Sequence, residues 1–432
     1  MKSFNLCIAG LGNVGSNVVL SIEENNKIFN SKASVSFNIL AISAANKSKK
    51  RIFDTSNYIW CDNPLDLLNY EKCDVLIELV GEEKGISYDV IKKALEKSMH
   101  VVTANKALLA KHGKKLFEIA EKNNVLLLYE AAVAGGIPII KTLKNNIFLN
   151  NIKKISGILN GTTNYILTEM YKNKLDFKEV LTIAQNKGYT SVNEAVLDIG
   201  GLDSAHKLTL LSTLSFGSQI NFLNNYITGI SDIKKIDITN AYNLGYKIKL
   251  ISESQIINNK IYCITGPKLI SFNNPLANVD GVLNAVNIET DHLESLFLEG
   301  EGAGGKATAS SIISDLYEIF ANSNIPSLGY KVNKLTEYEK FNNLDLKSSY
   351  FLRIMTKDIT GVLSKITSYF NESNISIEKI LQLPDSKKMD LPVPIIITTH
   401  EIRQNKILIA IKEIEKQDFV LEKVMIIPID KI

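Results

Sequence analysis

The hydrophobic residues in the first third of the chain form short apolar runs, which alternate with longer stretches of helical periodicity. The apolar runs predict five β-strands: Phe4–Ala9, Val35–Ser43, Asp74–Val80, His100–Thr103 and Val125–Glu130. Strands that alternate with helices in this way form a parallel, doubly wound sheet. We therefore predict an α/β fold in which residues 1–130 form the first domain.

The pattern changes after Pro138, where longer helical stretches are mixed with strands. The predicted elements are the helices Thr162–Lys172 and Ser204–Phe216 and the strands Lys260–Thr265 and Ser295–Glu299. They predict an α+β second domain over residues 131–305, with residues 306–332 packing back on the first domain.

A polar stretch from Leu335 to Lys347 lacks strong periodicity, which predicts a linker over residues 333–348. Residues 349–432 follow with alternating strand and helix patterns. The predicted elements are Tyr350–Met355, Gly361–Glu372, Ile375–Leu383, Val393–Thr399, Gln404–Lys416 and Val420–Ile427. Their order of strand, helix, strand, strand, helix, strand is typical of a ferredoxin-like βαββαβ module.

Composition narrows the class of protein. The 432 residues include 49 basic and 46 acidic side chains, without the one-sided basic stripe that a nucleic-acid-binding surface needs. The four cysteines lack a CxxC spacing, which predicts buried thiols in a reducing, cytoplasmic compartment. We expect no signal peptide, and no apolar run reaches the ~18 residues that would span a membrane. A small-molecule substrate is the expected partner.

Gly10, Gly12 and Gly15 form a GxGxxG motif between the first predicted strand and a helical stretch. In such a turn the first glycine allows the tight bend, and the second lets a pyrophosphate approach the backbone. The third glycine permits close packing of the helix. This placement predicts a Rossmann-type domain that binds a dinucleotide.

The end of the second predicted strand indicates which dinucleotide is bound. An NAD-specific protein usually has an acidic residue there for the ribose hydroxyl groups. This chain instead has Ser43-Ala44-Ala45-Asn46, followed by Lys47, Lys49, Lys50 and Arg51. Because cations neutralise a 2′-phosphate, NADP is favoured over NAD. A solvated basic loop remains the alternative for each of these lysines.

Several ionisable side chains mark a candidate catalytic site. Lys106 follows a strand, at the edge where open α/β sheets bind ligands, although a surface lysine is the alternative. Asp203 and Lys207 share one face of a helix, with Asp198 just upstream. This spacing suits an ordinary helical ion pair, or an ammonium that protonates a carbonyl oxygen beside an orienting carboxylate. His206 points about 100° away from Lys207 and is predicted to be a packing or surface residue rather than a base.

Two glycine-containing loops complete the candidate chemistry. The run from Glu130 to Pro138 bends at its glycines, where carbonyl groups could bind a hard monovalent cation together with the carboxylate. An interdomain hinge is the alternative for this run. The run Gly300–Ser311 permits close backbone approach to a ligand and also suits a crossover between domains.

At these residues the chain resembles the homoserine dehydrogenases, and the resemblance covers nearly the whole sequence in order. The matching runs are GLGNVGSNVV, HVVTANKALLAKHG, YEAAVAGGIPIIKTL, ILNGTTNYIL, GLDSAHKL, NPLANVDGVLNAV and GEGAGGKATASSIISDL. The resemblance implies a nicotinamide-dependent oxidoreductase that reversibly reduces L-aspartate 4-semialdehyde to L-homoserine, on the route to threonine, methionine and isoleucine. It also implies a homodimer or homotetramer, with the second domain providing catalysis and subunit contacts.

The resemblance further implies roles for individual residues. Lys207 would donate a proton to the developing alkoxide, Lys106 would be a second active-site lysine, and Asp198 and Asp203 would hold the substrate. Cofactor contacts are implied for Gly10, Leu11, Gly12, Asn13, Val14, Gly15, Thr103, Lys106 and Gly302. The structural sodium site of the family matches Glu130 and the carbonyl groups of Val133, Gly135 and Ile137.

Two positions depart from the family pattern. Members usually have a glutamate for the substrate amine at the position of Val192, so Glu194 is our candidate substitute. Members also often have Arg-Asp at Ala45-Asn46, where the arginine serves the 2′-phosphate.

The C-terminal module resembles an ACT domain in Leu352–Ile354 and Lys357–Leu363, with Thr360 in place of a proline that is common in this turn. This resemblance implies amino-acid binding near Gly361, with threonine as the effector. A module that only dimerises is the alternative.

Three other classes of protein share features with the sequence. A phosphorylating semialdehyde dehydrogenase needs a cysteine nucleophile beside a base, and none of the cysteines lies in such a turn with a histidine. A sensor without catalytic activity would bind the dinucleotide and an amino acid. Val192 favours this sensor, whereas Lys106, Asp203 and Lys207 argue against it. An aspartokinase fusion is not expected, because the chain begins at the dinucleotide fold.

Overall fold

A computed structural model of the chain describes residues 2–70, 72–321, 324–382 and 392–430. These residues form a parallel sheet of six strands and a mixed sheet of twelve strands, both flanked by helices. The predicted α/β class with a Rossmann-type sheet and a C-terminal ferredoxin-like module is confirmed. No helix within the described residues has both the length and the apolar character that crossing a membrane requires.

The strands are β1 Lys2–Ala9, β2 Val35–Ser43, β3 Ile59–Cys61, β4 Val75–Glu78, β5 His100–Thr103, β6 Leu127–Leu128, β7 Ile152–Ile158, β8 Asn225–Ile227, β9 Tyr246–Ile257, β10 Lys260–Ser271, β11 Leu283–Thr290, β12 Leu296–Glu301, β13 Glu339–Lys340, β14 Lys347–Thr356, β15 Ile377–Gln382, β16 Val393–Thr399, β17 Ile402–Arg403 and β18 Met425–Asp430. The helices are α1 Asn13–Ala33, α2 Ile86–Glu96, α3 Lys106–Lys122, α4 Ile139–Lys141, α5 Gly161–Asn173, α6 Phe177–Asn186, α7 Val192–Ile199, α8 Leu202–Phe216, α9 Lys235–Asn243, α10 Gly305–Phe320, α11 Val362–Glu372 and α12 Gln404–Ile414.

The parallel sheet has the strand order β3-β2-β1-β4-β5-β6, which is that of dinucleotide-binding domains. Alternate residues of β1 enter different cores, because successive side chains of a strand point to opposite faces. Ile8 packs with Val18 of α1 and Ile312 of α10, whereas Cys7 packs on the opposite face with Ile91 of α2. Helix α10 therefore lies beside α1, far from it in sequence.

Two predicted features of this sheet differ from the structure. Strand β3 was not predicted, because three residues carry too little alternation to be recognised. The strand expected over Val125–Glu130 is reduced to β6, because Glu130–Ala132 turns into a 3₁₀ helix that redirects the chain. Four apolar residues of that run, Val125, Leu127, Leu128 and Tyr129, are buried, but only Leu127 and Leu128 lie in a strand.

The mixed sheet is centred on the antiparallel hairpin of β9 and β10, which pair along 12 residues each. Only the first half of β10 was predicted, and β9 was missed. The middle of β9 is buried on both faces, and its sequence alternates apolar and polar residues only from Tyr246 to Leu250. Helix α8 packs on this hairpin and is buried from Ser204 to Ser215.

The C-terminal module has the strand order β18-β14-β16-β15. One face of its sheet, with Leu352 and Ile354, packs on α11 and α12. The other face, with Phe351 and Ile396, packs on α5, α6 and α9 of the central region. Strand β18 also pairs in parallel with β10, so the strands of the C-terminal module and those of the central region form one continuous mixed sheet. The strand predicted from Val420 begins instead at Met425, and the predicted end of β15 at Leu383 lies outside the described residues.

A buried ion pair also joins the C-terminal module to the central region. The Nε of Arg353 on β14 donates to Oδ1 of Asp237 on α9 over 2.7 Å. Both side chains are almost fully buried, so the pair is shielded from solvent. Arg353 also donates to Glu422, which links β14 to the segment that precedes β18.

Candidate active site

The GxGxxG turn has the geometry that a pyrophosphate requires. Gly10 has φ +100°, and a Cβ on it would lie 2.4 Å from the backbone of Leu79. A Cβ on Gly15 would lie 2.0 Å from the carbonyl oxygen of Gly10, so the turn and α1 need both glycines. A Cβ on Gly12 would meet nothing within 4 Å. The space above Gly12, at the N-terminus of α1, therefore fits a dinucleotide phosphate.

The second glycine-rich loop lies against the first turn of α1. A Cβ on Gly305 would lie 2.2 Å from Nδ2 of Asn17, and a Cβ on Gly302 would lie 2.0 Å from the Asn284 side chain. A Cβ on Gly135 would lie 2.5 Å from the backbone of Gly302. The predicted cofactor residue Gly302 is thus buried where this loop contacts the run from Glu130 to Pro138.

The basic loop after β2 is organised around Arg51. Its guanidinium donates to the carbonyl oxygens of Asn46, at 2.7 Å, and Lys49, at 2.8 Å, and it lies over the ring of Trp60. The ammonium of Lys47 lies 5.9 Å from the centre of the same ring. The side chains of this loop are largely exposed, so its cations face solvent beside the sheet edge.

Sequence reasoning missed a buried carboxylate, Glu78, at the end of β4. Its Oε2 accepts a hydrogen bond of 2.6 Å from the hydroxyl of Thr103, and its Oε1 accepts from the backbone N–H of Val80. Thr103 in turn accepts from the N–H of Asn105. The predicted cofactor residue Thr103 therefore holds the segment that leads to Lys106. The available signal was an acidic residue inside the otherwise apolar run from Val75 to Val80.

Asp203 lies between the two candidate lysines. Nζ of Lys207 donates to Oδ2 of Asp203 over 2.7 Å and to the carbonyl oxygen of Leu159 over 2.7 Å. Nζ of Lys106 lies 3.3 Å from Oδ1 of Asp203. Lys207 is 8% exposed, whereas the side chain of Lys106 is 38% exposed. One carboxylate thus holds one buried and one accessible ammonium.

Asn160 connects Asp203 to the other predicted carboxylate, and sequence reasoning did not identify it. Its Nδ2 donates to Oδ1 of Asp198 over 2.7 Å and to Oδ2 of Asp203 over 3.0 Å. Its Oδ1 caps α5 by accepting from the N–H of Thr163. The second oxygen of Asp198 accepts from the hydroxyl of Thr190. A single amide therefore orients both aspartates.

Burial and charge separate the pKa values of these groups. Burial alone would raise the pKa of Asp203, but Lys207 and Lys106 hold it far below its usual value. Asp203 in turn raises the pKa of Lys106. Burial, with a contribution from Asp203, raises the pKa of Asp198. At neutral pH the site therefore contains an ionised Asp203 beside a protonated Lys106.

Helix α7 places Glu194 in its own N-terminal cap rather than in the cluster of Asp203 and Lys207. The carboxylate of Glu194 accepts from the N–H of Ser191 over 3.1 Å, as part of the cap of α7, and its side chain is exposed. Its charge contributes to the raised pKa of Lys106. Val192, at the position of the expected glutamate, is 73% exposed. The structure brings neither side chain into contact with Asp203 or Lys207 among the described residues.

His206 is a packing residue, which is one of the two roles predicted for it. It is buried, and its ring lies 4.6 Å from that of Phe222. Burial, followed by the charge of Lys111, lowers the pKa of His206 to about 4. The imidazole is therefore neutral at ordinary pH.

Glu130 is buried beside charged residues of α10. Its two oxygens accept from the backbone N–H groups of Ile140 and Lys141, at 2.8 and 2.9 Å. Asp315 lies next to it, accepting from its backbone N–H. Burial and Asp315 raise the pKa of Glu130 to about 7. No ammonium or guanidinium within the described residues lies within 4.0 Å of this carboxylate.

The chain turns sharply after Glu130. Ala134 and Gly135 both have φ +55°, the left-handed conformation that reverses the chain direction in a tight turn. The Gly135 carbonyl accepts from the Ser311 hydroxyl at 2.6 Å, and the Ile137 carbonyl accepts from the N–H of Ile139. Each carbonyl keeps a second lone pair. One buried carboxylate and these carbonyl oxygens fit a hard monovalent cation.

Comparison with known proteins agrees with this geometry over the whole chain. The family profile of the homoserine dehydrogenase NAD binding domain matches residues 10–130. The profile described as homoserine dehydrogenase matches residues 138–317, and the ACT domain profile matches residues 350–419. A homoserine dehydrogenase of Neisseria gonorrhoeae is 35% identical, with all of both chains covered. The chain belongs to the homoserine dehydrogenase family.

Solved structures of homoserine dehydrogenases have the same fold. One from Thiobacillus denitrificans is 33% identical and superposes with a TM-score of 0.91, covering 100% of this chain and 99% of that one. A hyperthermophilic archaeal homoserine dehydrogenase mutant, solved in complex with NADPH, is 26% identical with a TM-score of 0.62. It covers 74% of this chain and 99% of its own. Homoserine dehydrogenase is thus the function that family and fold support, and a sensor is not favoured.

Proposed function

We propose that this homoserine dehydrogenase reversibly reduces L-aspartate 4-semialdehyde to L-homoserine with NADPH, on the route to threonine, methionine and isoleucine. The observation that carries the proposal is the cluster of Lys207, Asp203 and Lys106, next to the strand edge where the dinucleotide fits. A carbonyl group needs a proton donor as it becomes an alcohol, and this cluster supplies one.

In this mechanism Lys207 is the proton donor to the substrate oxygen. The Leu159 carbonyl and Asp203 take two of its three N–H groups, so the third has a defined direction. Lys106, the more exposed ammonium, binds the same oxygen or the substrate carboxylate. The reduced nicotinamide supplies the hydride when it is bound. In the oxidation direction the neutral amine of Lys207 accepts the proton of the alcohol and then releases it to solvent.

Asp198 and Asp203 hold the substrate and its water in this proposal, oriented by Asn160. The substrate ammonium needs a further acidic partner, because Val192 has no charge. Glu194 is the proposed partner, since its exposed carboxylate already acts electrostatically on Lys106. Reaching the substrate would require Glu194 to leave the N–H of Ser191.

For the cofactor, we propose a preference for NADP over NAD. The loop after β2 lacks an acidic residue and presents Lys47 and Lys49 to solvent, with Arg51 stacked on Trp60. Such an environment attracts a 2′-phosphate. The NADPH bound to the archaeal relative is consistent with this preference.

A structural sodium ion is proposed at Glu130, with the carbonyl groups of Val133, Gly135 and Ile137 as further ligands. The support is electrostatic. Among the described residues, the three carboxylates of Glu130, Asp315 and Glu318 share this buried group with two ammonium groups, those of Lys141 and Lys144. A bound monovalent cation would neutralise the remaining negative charge and stabilise the loop that contacts Gly302.

The C-terminal module is proposed to bind threonine near Gly361, which has φ +90° and ends the turn before α11. If millimolar threonine neither inhibits the enzyme nor changes its melting temperature, this part of the proposal is wrong. We also propose that the protein assembles as a homodimer or homotetramer, which sedimentation would test.

The experiment that tests the activity follows absorbance at 340 nm with L-homoserine and either NADP or NAD. Wild type is compared with Lys207→Ala and with Lys178→Ala, a substitution of an exposed lysine on α6. We expect turnover with a preference for NADP, no turnover in Lys207→Ala, and wild-type turnover in Lys178→Ala. Cofactor binding without turnover in wild type would contradict the proposal and favour the sensor.

A further inference from the structure

The loop after β2 is wound around the side chain of Arg51. Nη2 of its guanidinium donates to the carbonyl oxygen of Asn46 over 2.7 Å. Nη1 donates to the carbonyl oxygens of Lys49 over 2.8 Å and of Lys47 over 3.4 Å. These three carbonyl groups precede Arg51 in the same loop. One side chain therefore holds the backbone of the whole loop in a single shape.

Asn46 adds a second set of hydrogen bonds within the loop. Its Oδ1 accepts from the backbone N–H groups of Ser48, over 2.9 Å, and Lys49, over 3.2 Å. It also accepts from the hydroxyl group of Ser48 over 2.8 Å. An asparagine that binds the backbone two residues later stabilises a turn by itself. The loop is thus ordered by its own side chains.

Trp60 on β3 attaches this loop to the sheet. The guanidinium of Arg51 lies over the indole ring, 5.1 Å from its centre, and the ammonium of Lys47 lies 5.9 Å from the same ring. The indole N–H donates to Asp62 over 2.8 Å, which orients the ring. The ring also packs against the core that the sheet forms with α1 and α10. Arg51 is therefore bonded to the loop and stacked on the sheet at the same time.

Arg51 itself is poorly placed to bind a phosphate. A guanidinium has five N–H groups, and it binds a phosphate best through two that are parallel. Here three of them donate to backbone carbonyl groups, and the buried Nε has no acceptor among the described residues. A bidentate contact would require Arg51 to release the loop. The side chains of Lys47 and Lys49, in contrast, are exposed.

The loop lies beside the pyrophosphate turn. The carbonyl oxygen of Ser43, at the end of β2, accepts from the N–H of Gly10 over 2.8 Å. In this fold the ribose with the 2′ group lies at the end of the second strand. Asp54, the first acidic residue after the loop, accepts from the N–H and hydroxyl groups of Ser56. The lysines of the loop therefore face the expected position of the 2′ group without an acidic residue among them.

We infer that Arg51 and Trp60 are positioning residues that determine the preference for NADP. They hold the loop in the shape that presents Lys47 and Lys49 to the 2′-phosphate, so cofactor binding does not have to order the loop. This role requires the forked shape of the guanidinium rather than its charge. It also accounts for a preference for NADP in a chain with Ala45 where relatives often have an arginine. The inference rests on the proposed preference for NADP.

Arg51→Lys is the decisive variant, because it keeps the charge but cannot hold three carbonyl groups and stack as a plane. Calorimetric titration of the full chain with NADP and with NAD gives the ratio of the two Kd values. We expect Arg51→Lys to reduce the preference at least about ten-fold, through weaker binding of NADP and unchanged binding of NAD. Unchanged NAD binding also shows that the variant is folded.

Three further variants serve as matched comparisons in the same titration. Trp60→Leu removes the ring and should reduce the preference as Arg51→Lys does. Trp60→Phe keeps an aromatic ring and should retain most of the preference. Arg403→Lys is the same substitution at an exposed residue of β17, and it should leave both Kd values unchanged.

Fluorescence provides a readout of the loop itself, because Trp60 is the only tryptophan of the chain. In Arg51→Lys the emission of the protein without cofactor should shift to longer wavelength, since the ring gains contact with water. A shifted emission with an unchanged ratio of Kd values would overturn the inference. An unchanged emission would overturn it as well, because Arg51 would then not hold the ring. Equal weakening of NADP and NAD binding would show a general rather than a specific role and also overturn it.

The titrations separate this inference from the proposals on which it depends. They measure binding rather than turnover, so a failure of the proposed reaction does not affect them. A wild type that binds both cofactors equally would contradict the proposed preference and the inference together. A preference that is lost in Lys47→Glu/Lys49→Glu but kept in Arg51→Lys would contradict the inference alone.

Discussion

The carboxylate of Asp203 accepts a hydrogen bond of 2.7 Å from the ammonium of Lys207, which lies four residues later on the same buried helix. Lys106 approaches the other oxygen of the carboxylate from the dinucleotide-binding domain. The site therefore joins two domains through one negative charge. Any change in that charge acts on both lysines at once.

Asp203→Asn should lower kcat and shift its pH dependence. Asp203 raises the pKa of Lys106, so removing the carboxylate should lower that pKa. The ammonium of Lys106, which binds the substrate in our proposal, is then lost at lower pH, so the alkaline limb of the kcat profile for aldehyde reduction should move toward neutrality. The measurement is kcat for aldehyde reduction from pH 6 to 10 at saturating substrates. An alkaline limb that stays in place would show that Asp203 does not control the protonation of Lys106.

Asn160→Asp tests the amide that orients both aspartates. Aspartate is also a good helix cap, so α5 should remain stable. The change removes the N–H donor and adds a third carboxylate beside Asp198 and Asp203. Losing a hydrogen bond to a charged group costs about 1.5–3 kcal/mol, which corresponds to a fall of roughly 10- to 150-fold in kcat/KM. An unchanged kcat/KM in a folded variant would contradict this role.

Reversing charge in the loop after β2 tests the cofactor preference. The double variant Lys47→Glu/Lys49→Glu places anions where a 2′-phosphate is expected. At ~1 kcal/mol for each exposed pair, the NADP:NAD ratio of kcat/KM should fall roughly 30-fold. The control is Lys27→Glu/Lys32→Glu, on the distal part of α1, which should leave the ratio unchanged. Equal effects of both double variants would indicate a general effect of net charge.

Sodium should stabilise the protein specifically. A cation bound only to the folded state adds about 2.7 kcal/mol at ~100 times its Kd. The melting temperature in sodium chloride should therefore exceed that in choline chloride at equal ionic strength. Glu130→Gln should abolish the difference, because the neutral amide cannot balance the ion. A difference that persists in Glu130→Gln would place the ion elsewhere.

We expect Lys249 to make the free energy of unfolding increase with pH in mildly alkaline solution. Burial lowers its pKa to about 8 from an ordinary 10.5, although Asp280 lies 3.2 Å away. Between these values the unfolded chain holds a proton that the folded protein has lost. Folding stability therefore increases as pH rises through this interval, by at most about 1.4 kcal/mol per pH unit. Urea unfolding of wild type and Lys249→Met from pH 7.5 to 10 measures this, and parallel curves would contradict it.

Local sequence patterns predicted most of the parallel sheet, because its strands are separate apolar runs and the glycines of its turn stand where a larger residue would clash. Gly10 and Gly15, for example, have the close backbone contacts that their spacing implies. Strand β9 was missed because it is buried on both faces although it contains charged residues, among them the buried Lys249 and Glu253. The partners that make their burial possible lie far away in the sequence, so a short stretch of sequence does not reveal them.

The same limit applies to the site. Lys106, Asp203 and Lys207 were predicted from the residues and the family resemblance, and the structure brings them into contact. Asn160 was not identified, because capping is the ordinary role of an asparagine before a helix. Its second role depends on α7 and α8 returning to it from about 40 residues later in the chain.

The pairing of β18 with β10 has a consequence for how the protein tolerates shortening. One edge of β10 is covered by three short strands: β13, β8 and, at Leu269 and Ile270, β18. A chain that ended before the C-terminal module would leave the last part of this edge with unsatisfied amide and carbonyl groups, next to an uncovered apolar surface. Such an edge recruits strands from other molecules. The C-terminal module therefore also protects this edge of β10 against strand pairing with other molecules, whatever ligand the module binds.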